Sequence, residues 1–292
     1  MITGANSGLG FRSALALARS GAQVILGCRN PAKAAEALTE VKGAATAAEP
    51  FAVPLDLADL SSVAAVADEV ARRVDRLDVL MNNAGVMAIP RHETADGFEA
   101  QFGTNHLGHF ALTGRLLPLL LTAPAPRVVV TSSQAHRIGR MRWEDPHGRT
   151  RYRKWPAYGQ SKLSNLLFMF ELDRRARAEG ANLLAAAAHP GYAATHLQAA
   201  AYETSGNRLM TRIMGFANSV VAQSDAHGAW PQLYAATMAD VRSGAYYGPR
   251  GPFEMRGHPT VVRPTAAARR PADSQRLWEL SERETGVTYT WH

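Results

Sequence analysis

Tyr158 and Lys162 lie four residues apart in the stretch WPAYGQSKLSNLLFMFEL. Pro156 suits the first turn of a helix, and apolar residues follow it at helical spacing, at 163, 166, 167 and 170. One face of this helix would carry both the phenol and the amine. Because a nearby ammonium favours the phenolate, we predict that Lys162 lowers the pKa of Tyr158 and makes it a proton donor and acceptor near neutral pH. Taken alone, such a pair is more often structural.

Further polar residues stand at the ends of two predicted buried strands. Ser132 and Ser133 end the run RVVVTSS, and the tetrapeptide NNAG at 82–85 ends the run that begins LDVL. Ligands of parallel α/β sheets bind at the carboxyl edge of the strands. We therefore expect these residues to join the tyrosine and lysine in one site.

The chain opens with a glycine-rich turn, T-G-x-x-x-G-x-G, formed by Thr3, Gly4, Gly8 and Gly10. A helical apolar pattern follows it directly. Because glycine has no Cβ, backbone N–H groups in such a turn can approach a pyrophosphate at the positive end of the helix. The turn predicts a dinucleotide pocket, although turns of unrelated proteins show similar motifs.

A second requirement of a dinucleotide pocket concerns the end of the next strand, where an acid would bind the ribose 2′-hydroxyl. Cys28 and Arg29 occupy that place. A guanidinium binds a 2′-phosphate, and no carboxylate is there to repel it, so we predict NADP rather than NAD. The alternative for Arg29 is an exposed arginine without a ligand.

Apolar runs alternate with helical patterns along the chain, which is typical of βα units. The predicted strands are QVILGCR at 23–29, LDVLMNN at 77–83, RVVVTSS at 127–133 and NLLAAAAHPG at 182–191. The sequence therefore predicts an α/β fold with a doubly wound, mostly parallel, Rossmann-like sheet, in a single domain over residues 1–292.

Two other segments carry predictions about local structure. We expect Ser61 to cap a helix with an apolar face. That face comprises Val63, Val66, Val70 and Val74. Residues 249–271 are rich in Pro, Gly and Arg, which predicts an irregular surface segment.

The composition of the 292-residue chain, 46% apolar, is that of a globular protein with a large core. No run approaches the ~20 apolar residues that span a membrane, and the first residues lack a targeting pattern. Cys28 is the single cysteine, so no intrachain disulfide can form. We predict a cytoplasmic protein with no integral membrane segment and no metal site.

The formal net charge of +7 raises the question of a nucleic-acid partner. Most basic residues are scattered, and the one dense cluster lacks the interleaved aromatic residues that stack on bases. We predict no nucleic-acid partner and a solvated loop for this cluster. It comprises Arg137, Arg140, Arg142, Arg149, Arg151, Arg153 and Lys154.

Together, these motifs resemble the short-chain dehydrogenase/reductase family over essentially the whole chain. TGANSGLG, LDLADL, NNAG, TNHLGHF, VVVTSS, YGQSK and HPGYAATHL occur in the family's order. The chain is most similar to the retinol-dehydrogenase-like branch, through GCRN, TNHLGHF, SSQAHR and HPG. The motifs are highly specific for the family and weakly specific for a substrate.

The resemblance implies catalytic roles for four residues. Ser133 would polarise the substrate oxygen and Tyr158 would transfer the proton. Lys162 would tune Tyr158 and bind the nicotinamide ribose. Asn105 in TNHLG would hold a water in the proton relay, and its alternative is a helix-stabilising asparagine.

The resemblance also implies an NADP(H) site. Asp56 would meet the adenine, residues 83–85 would flank the adenosine, and the HPG segment would border the nicotinamide. The full predicted set is Gly4, Asn6, Ser7, Gly8, Leu9, Gly10, Arg29, Asp56, Leu57, Asn83, Ala84, Gly85, Tyr158, Lys162, Pro190, Gly191 and Thr195. For His136 and His189 we expect structural or surface roles.

Two stretches are expected to be substrate-loop insertions, about 137–157 and about 192–230. The second contains a helix with an apolar face at Leu209, Ile213, Phe216 and Val220. This face either packs in the core or forms a lid over the nicotinamide. On the lid hypothesis, the substrate is a hydrophobic alcohol, aldehyde or ketone.

The first strand of the predicted sheet is short, since only Met1 and Ile2 precede the glycine-rich turn. In the family's fold this strand lies in the middle of the sheet, where missing residues leave ladder groups unpaired. We expect a first strand that is truncated at the N-terminus. Residues upstream of Met1 would complete it, or the chain as numbered would be poorly stable.

The sequence thus predicts an NADP-dependent oxidoreductase that transfers a hydride between nicotinamide and a hydrophobic alcohol, aldehyde or ketone, with Tyr158 as general acid/base. One alternative is a non-catalytic NADP-binding regulatory protein. Another is an enzyme that reduces a carbon–carbon double bond, as protochlorophyllide reductase relatives do. The resemblance implies a homodimer formed by the helices after NNAG and at YxxxK, with a monomer as the alternative.

Overall fold

A computed structural model describes residues 1–191 and 225–291 of the chain. The strands in these ranges are β1 (Ile2–Thr3), β2 (Ile25–Cys28), β3 (Phe51–Pro54), β4 (Val79–Asn82), β5 (Arg127–Thr131), β6 (Leu184–Ala188), β7 (Tyr246–Pro249) and β8 (Pro259–Val261). They form one sheet in the order β3-β2-β1-β4-β5-β6-β7-β8, in which β8 alone is antiparallel to its neighbour. The strand order reverses direction beside β1, which confirms the predicted doubly wound, mostly parallel sheet.

The described helices cover both faces of the sheet. They are α1 (Gly8–Arg19), α2 (Pro31–Ala44), α3 (Leu60–Arg73), α4 (Ala100–Phe102), α5 (Gly108–Leu121), α6 (Lys154–Ala178), α7 (Asp225–Gly228), α8 (Trp230–Thr237) and α9 (Pro271–Thr285). One apolar cluster joins the sheet to α3, α5, α6 and α9, and a second joins it to α1, α2 and α8. Among these described helices, none is long and apolar enough to cross a membrane.

The central strands explain how one sheet serves two cores. In β5, Val128 and Val130 belong to one cluster and Val129 to the other. The alanines of β6 alternate in the same way, with Ala185 and Ala187 on one face. Because successive strand side chains point to opposite faces, a strand buried on both sides reads as a continuous apolar run. The four predicted strands are therefore confirmed, including the alanine-rich one.

Two local predictions are wrong. Asp59, not Ser61, caps α3, because its carboxylate accepts hydrogen bonds from the N–H groups of Ser61 and Ser62 at 2.8 and 3.3 Å. The segment predicted to be irregular contains β8, which pairs with β7 at the edge of the sheet. An edge strand needs ladder partners on one side only, so a short Pro-containing segment can form it.

The first strand, β1, comprises two residues between β2 and β4. Ile2 pairs with Leu26 of β2 and with Met81 of β4. The ladder continues into the flanking residues, since Met81 N–H donates to the Met1 carbonyl at 2.9 Å and Gly4 N–H donates to the Gly27 carbonyl at 2.7 Å. The glycine-rich turn therefore leaves the sheet at its middle, beside the point where the strand order reverses.

The C-terminal segment packs against α5 and α6. The indole of Trp278 in α9 lies 5.0 Å from the ring of Phe110 in α5 and 5.9 Å from the ring of Phe168 in α6. After α9, the Tyr289 hydroxyl donates to the Phe110 carbonyl at 2.8 Å. The two helices that the family resemblance assigns to a dimer thus pack against the chain's own C-terminal helix.

Candidate active site

A cavity of about 370 Å³ opens at the carboxyl edge of β1, β2, β4 and β5. Its walls contain the glycine-rich turn, the ends of these strands, the start of α6 and the segment after β6. Every cofactor residue predicted within the described chain lines this cavity. The remaining one, Thr195, lies outside the described residues, as do Leu209, Ile213, Phe216 and Val220 of the predicted lid.

The glycine-rich turn forms a cradle at the first turn of α1. Gly4 has a φ of +66°, a backbone conformation that other residues rarely adopt. A Cβ on Gly10 would lie 2.4 Å from the Gly4 carbonyl oxygen and 2.5 Å from Asn83 Nδ2, so only glycine fits there. The turn and the N-terminus of α1 thus present backbone N–H groups to the cavity, which suits a pyrophosphate.

The Thr3 side chain joins this turn to the NNAG segment. Its hydroxyl oxygen accepts from the N–H groups of Asn83 and Ala84, both at 2.9 Å, and lies 2.8 Å from Nε2 of His109. His109 Nδ1 lies 3.1 Å from the carbonyl oxygen of Asn105. That contact requires a proton on Nδ1, so Nε2 accepts the Thr3 hydroxyl proton. Burial lowers the pKa of His109 to about 4, which keeps the ring neutral.

Arg29 and Asp56 lie at the end of the cavity beside β2 and β3. Arg29 is exposed, and its guanidinium has no hydrogen bond or ion pair with any described residue. The carboxylate of Asp56 accepts from the Ala58 N–H at 2.9 Å. A cation that lines the cavity without a protein partner is suited to an anionic group of a ligand.

Ser133, Tyr158 and Lys162 come together beside β5. Hydrogen bonding by Ser133 lowers the pKa of Tyr158, and Lys162 Nζ lies 5.8 Å from the centre of the Tyr158 ring. Lys162 also donates to the Thr131 carbonyl at 3.2 Å. The neighbouring Ser132 hydroxyl donates instead to the Lys162 carbonyl at 2.8 Å. Of the two serines, Ser133 is therefore the one that acts on the pKa of the tyrosine.

The predicted direction of the Tyr158 pKa is wrong for this structure. Burial raises the pKa of Tyr158 to about 12, and the hydrogen bond with Ser133 offsets only part of that rise. Burial also lowers the pKa of Lys162 to about 8. Both shifts favour the neutral form of the group, because removing a charge from water is costly. The phenol therefore keeps its proton at neutral pH.

Asn105 lies beside the cavity rather than on its wall. It belongs to a π-helical turn, Gly103–Leu107, between α4 and α5. Its side-chain oxygen accepts from the Val86 N–H at 2.7 Å, and its nitrogen donates to the Val86 carbonyl and the Ser161 hydroxyl, both at 2.9 Å. These bonds hold the segment after NNAG against α6. Its role as the anchor of a relay water stays a prediction.

Sequence reasoning missed four non-glycine residues at the end of the cavity that contains Tyr158 and Lys162. Val86 and Met87 follow NNAG directly, Thr104 precedes Asn105, and Thr131 ends β5. Their positions next to predicted site residues were the available signal. Val86 and Met87 are apolar residues of the kind that more often belong to a core, so their side-chain types alone gave no indication.

The basic loop predicted at about 137–157 does not line this cavity. It is organised around Asp145, whose carboxylate accepts from the N–H groups of Arg149 and Thr150 and from the Arg142 guanidinium. A hydrogen bond from the Thr150 hydroxyl is the largest cause that lowers the pKa of Asp145. Part of the positive charge of this loop is thus compensated within it.

Comparison with known proteins decides the family. The family profile for short chain dehydrogenase matches residues 1–206. The chain belongs to the short-chain dehydrogenase family. Retinol dehydrogenase 14 of Mus musculus is 39% identical over 299 residues, which cover 98% of this chain and 85% of that protein. The resemblance to the retinol-dehydrogenase-like branch is therefore confirmed.

Solved structures of the same family support the fold. An uncharacterized protein from Mycobacterium Paratuberculosis is similar with a TM-score of 0.79 and 44% identity, over 99% of this chain and 93% of that one. A short chain dehydrogenase from Shigella flexneri complexed with NADP is similar with a TM-score of 0.64 and 25% identity, over 84% and 93% of the two chains. As a short-chain dehydrogenase, this protein is an oxidoreductase, and the cradle at Gly4 and Gly10 fits a nicotinamide dinucleotide.

Proposed function

We propose that this chain is an NADP-dependent oxidoreductase that reduces hydrophobic aldehydes or ketones, or oxidises the corresponding alcohols, with Tyr158 as general acid/base. The observation that carries the proposal is one cavity that has Arg29 at one end and Ser133, Tyr158 and Lys162 at the other. Between β2 and β5 lie three strand spacings, about 14 Å, which separates a phosphate-binding end from a reactive end.

Arg29 favours NADP over NAD. Its guanidinium lines the cavity at the end of β2, where it would meet a ribose 2′-phosphate. A charge-assisted hydrogen bond of this kind contributes about 1.5–3 kcal/mol, or roughly 10- to 100-fold in affinity. The similar Shigella flexneri protein was solved with NADP, which supports the same cofactor here.

The chemistry rests on the protonation states of Tyr158 and Lys162. Bound NADPH would supply a hydride to the carbonyl carbon. Tyr158 is a neutral phenol near pH 7, so it donates a proton to the carbonyl oxygen as the bond order falls. Ser133 donates a hydrogen bond to the same oxygen. The ammonium of Lys162, held beside Gly85 and Tyr158, then stabilises the phenolate left behind.

Apolar side chains near Tyr158, at the reactive end of the cavity, favour a hydrophobic substrate. Val86 and Met87 line it, and the ring of Trp155 lies 6.3 Å from that of Tyr158 while 41% of the residue stays exposed. Apolar side chains around one proton donor favour a carbonyl attached to an apolar group. The retinol dehydrogenases to which the chain is similar bear the name of such a substrate class.

The decisive experiment measures NADPH oxidation with a panel of aldehydes and ketones, both apolar and small polar ones, and repeats it with NADH. We expect turnover of the apolar carbonyls and a preference for NADPH. Tyr158→Phe should lower kcat by about 10²–10⁴-fold and leave NADPH binding intact, because it removes only the proton donor.

Tyr234→Phe is the matched control. Tyr234 lies in α8, and its hydroxyl bonds to Asp240 away from the cavity, so kcat should not change. If Tyr158→Phe keeps full turnover, the assigned acid is wrong. If the wild-type protein binds NADPH but turns over no carbonyl, the regulatory alternative gains instead.

A further inference from the structure

His189 stands directly before the Pro190–Gly191 corner, which lines the cavity. Its side chain is fully buried, and its ring centre lies 5.2 Å from that of Tyr246. A Cβ on Gly248 of β7 would come within 2.1 Å of His189 Nε2. The absence of a side chain at Gly248 therefore leaves room for the imidazole of His189.

The hydrogen bonds of His189 define its tautomer. The Gly191 N–H donates to Nδ1 at 3.1 Å, so Nδ1 carries the lone pair. The proton of the neutral ring is then on Nε2, which lies 3.1 Å from Oε2 of Glu254. One imidazole thus accepts from the corner on one side and donates to a carboxylate on the other.

Glu254 connects this imidazole to the residues that follow Ser133. Its carboxylate accepts from the Arg137 guanidinium at 3.0 Å and from Gln134 Nε2 at 3.3 Å. Gln134 Nε2 also donates to the Phe253 carbonyl at 2.8 Å. Gln134 and Arg137 both belong to the short helical turn Gln134–Arg137, which Ser133 caps.

The turn that presents Glu254 is conformationally unfavourable. Phe253 and Glu254 both have positive φ values, 52° and 56°, which residues with a side chain rarely adopt. Such a backbone persists only where surrounding contacts hold it, and it concentrates at functional sites. The contacts from His189, Gln134 and Arg137 provide that restraint.

We propose that His189 and Glu254 are positioning residues for the proposed NADP-dependent reaction. The pair holds the Pro190–Gly191 corner in the conformation that receives the nicotinamide end of NADPH, and it couples the corner to the Ser133 turn. The inference rests on the proposed function. A nucleophilic triad of Ser133, His189 and Glu254 is excluded by the geometry, because the Gly191 N–H occupies the nitrogen that would act as base.

The corner has little freedom to find another conformation. Gly191 has a φ of +70°, and a Cβ there would lie 2.4 Å from the Met255 carbonyl oxygen. Without the imidazole of His189, the Gly191 N–H loses the acceptor that it has among the described residues. A weakened corner should therefore show as weaker cofactor binding.

His189→Asn and His189→Leu form a matched pair for the test. The two side chains branch in the same way, and both are too short to reach Glu254. Asparagine can still accept a hydrogen bond from the N–H two residues ahead, as in an Asx turn, whereas leucine cannot. The difference between them isolates the bond to Gly191.

The measurement is the Kd of NADPH by fluorescence titration, together with KM, kcat and Tm for each variant. We expect His189→Leu to raise the Kd of NADPH about tenfold and His189→Asn to raise it less than threefold. Tm and the cooperativity of unfolding show whether each variant is folded at the temperature of the titration. The Kd of NADPH is then compared between folded proteins.

Equal Kd values for the two variants would overturn the inference, whether both match the wild type or both rise together. If neither folds, Glu254→Ala replaces them, because Glu254 is partly exposed. It should raise the Kd of NADPH about three- to tenfold, whereas Glu144→Ala, an exposed control, should not. Equal Kd values of NADPH for Glu254→Ala and Glu144→Ala would also overturn the inference. A wild-type protein that does not bind NADPH would instead defeat the proposed function.

Discussion

Thr3 provides a sharp test of how the site is built, because one buried hydroxyl bonds to two N–H groups and to an imidazole. Thr3→Val keeps the shape of the side chain and removes the oxygen. It leaves the N–H groups of Asn83 and Ala84 and the Nε2 atom of His109 without their partner. Thr3 is fully buried, so water does not readily replace the hydroxyl.

The magnitude follows from the number of groups left unpaired. Each buried donor or acceptor that loses its partner costs about 1–3 kcal/mol, so three of them cost at least about 3 kcal/mol. With about 2.1 cal/mol/K per residue, the unfolding entropy of a 292-residue domain is about 0.6 kcal/mol/K, so each kcal/mol lowers Tm by about 1.6 °C. We therefore expect Thr3→Val to lower Tm by at least roughly 5 °C.

Two control variants make this expectation specific. Thr3→Ser keeps the hydroxyl and loses one methyl group, so it should cost only about 1 kcal/mol. Thr39→Val changes an exposed threonine whose hydroxyl donates only to the Ala35 carbonyl, so it should stay within about 0.5 kcal/mol. The assay is thermal and urea unfolding followed by circular dichroism. A Thr3→Val protein as stable as Thr39→Val, or a Thr3→Ser protein as unstable as Thr3→Val, would refute the reasoning.

Three other predictions test separate parts of the structure. Arg29→Ser should raise the KM of NADPH about 10- to 100-fold and leave that of NADH nearly unchanged, as measured by steady-state kinetics; equal losses for both would contradict it. Because burial lowers the pKa of Lys162 to about 8, kcat/KM for reduction should fall as pH rises through about 8, and a flat profile across that range would contradict the role of the ammonium. The unfolding free energy should change in the opposite sense, rising from about pH 8 to about pH 10.5, because the unfolded chain binds the lysine proton more tightly. Light scattering during size-exclusion chromatography should give the mass of one chain, because α9 and Trp278 cover the helices of the expected dimer; a dimer formed by α5 and α6 would overturn this.

The fold and the cofactor end of the site were predictable from sequence because their determinants are local. Gly4 and Gly10 sit where a positive φ or a close approach excludes a side chain, and such positions mark the sequence directly. Runs such as RVVVTSS report burial on both faces of a strand. The polar residues that end these runs then fall together at one edge of the sheet.

The rest depends on contacts between distant segments. Glu254 is 65 residues from His189 along the chain, and no spacing in the sequence pairs them. The same is true of Trp278, whose packing on α5 and α6 bears on the oligomeric state. The cap of α3 is different, because it is a local choice that the sequence leaves open. Asp59 and Ser61 both suit an N-cap, and it is the Asp59 carboxylate that accepts from the N–H groups of Ser61 and Ser62.

The opposite pKa shifts of Tyr158 and Lys162 bear on the direction of the proposed reaction. Sequence spacing shows that an amine lies near a phenol, but it does not show how deeply both are buried, and here burial dominates. A phenol with a pKa of about 12 holds its proton across the physiological range and is ready to donate it, as carbonyl reduction requires. Alcohol oxidation requires the phenolate first, which must form against the same desolvation and depends on the charge of Lys162. Raising the pH through about 8 removes that charge. The rate of oxidation should therefore rise less with pH than it would if an isolated phenol supplied the phenolate. The buried, protonated phenol therefore favours reduction as the direction of the proposed reaction.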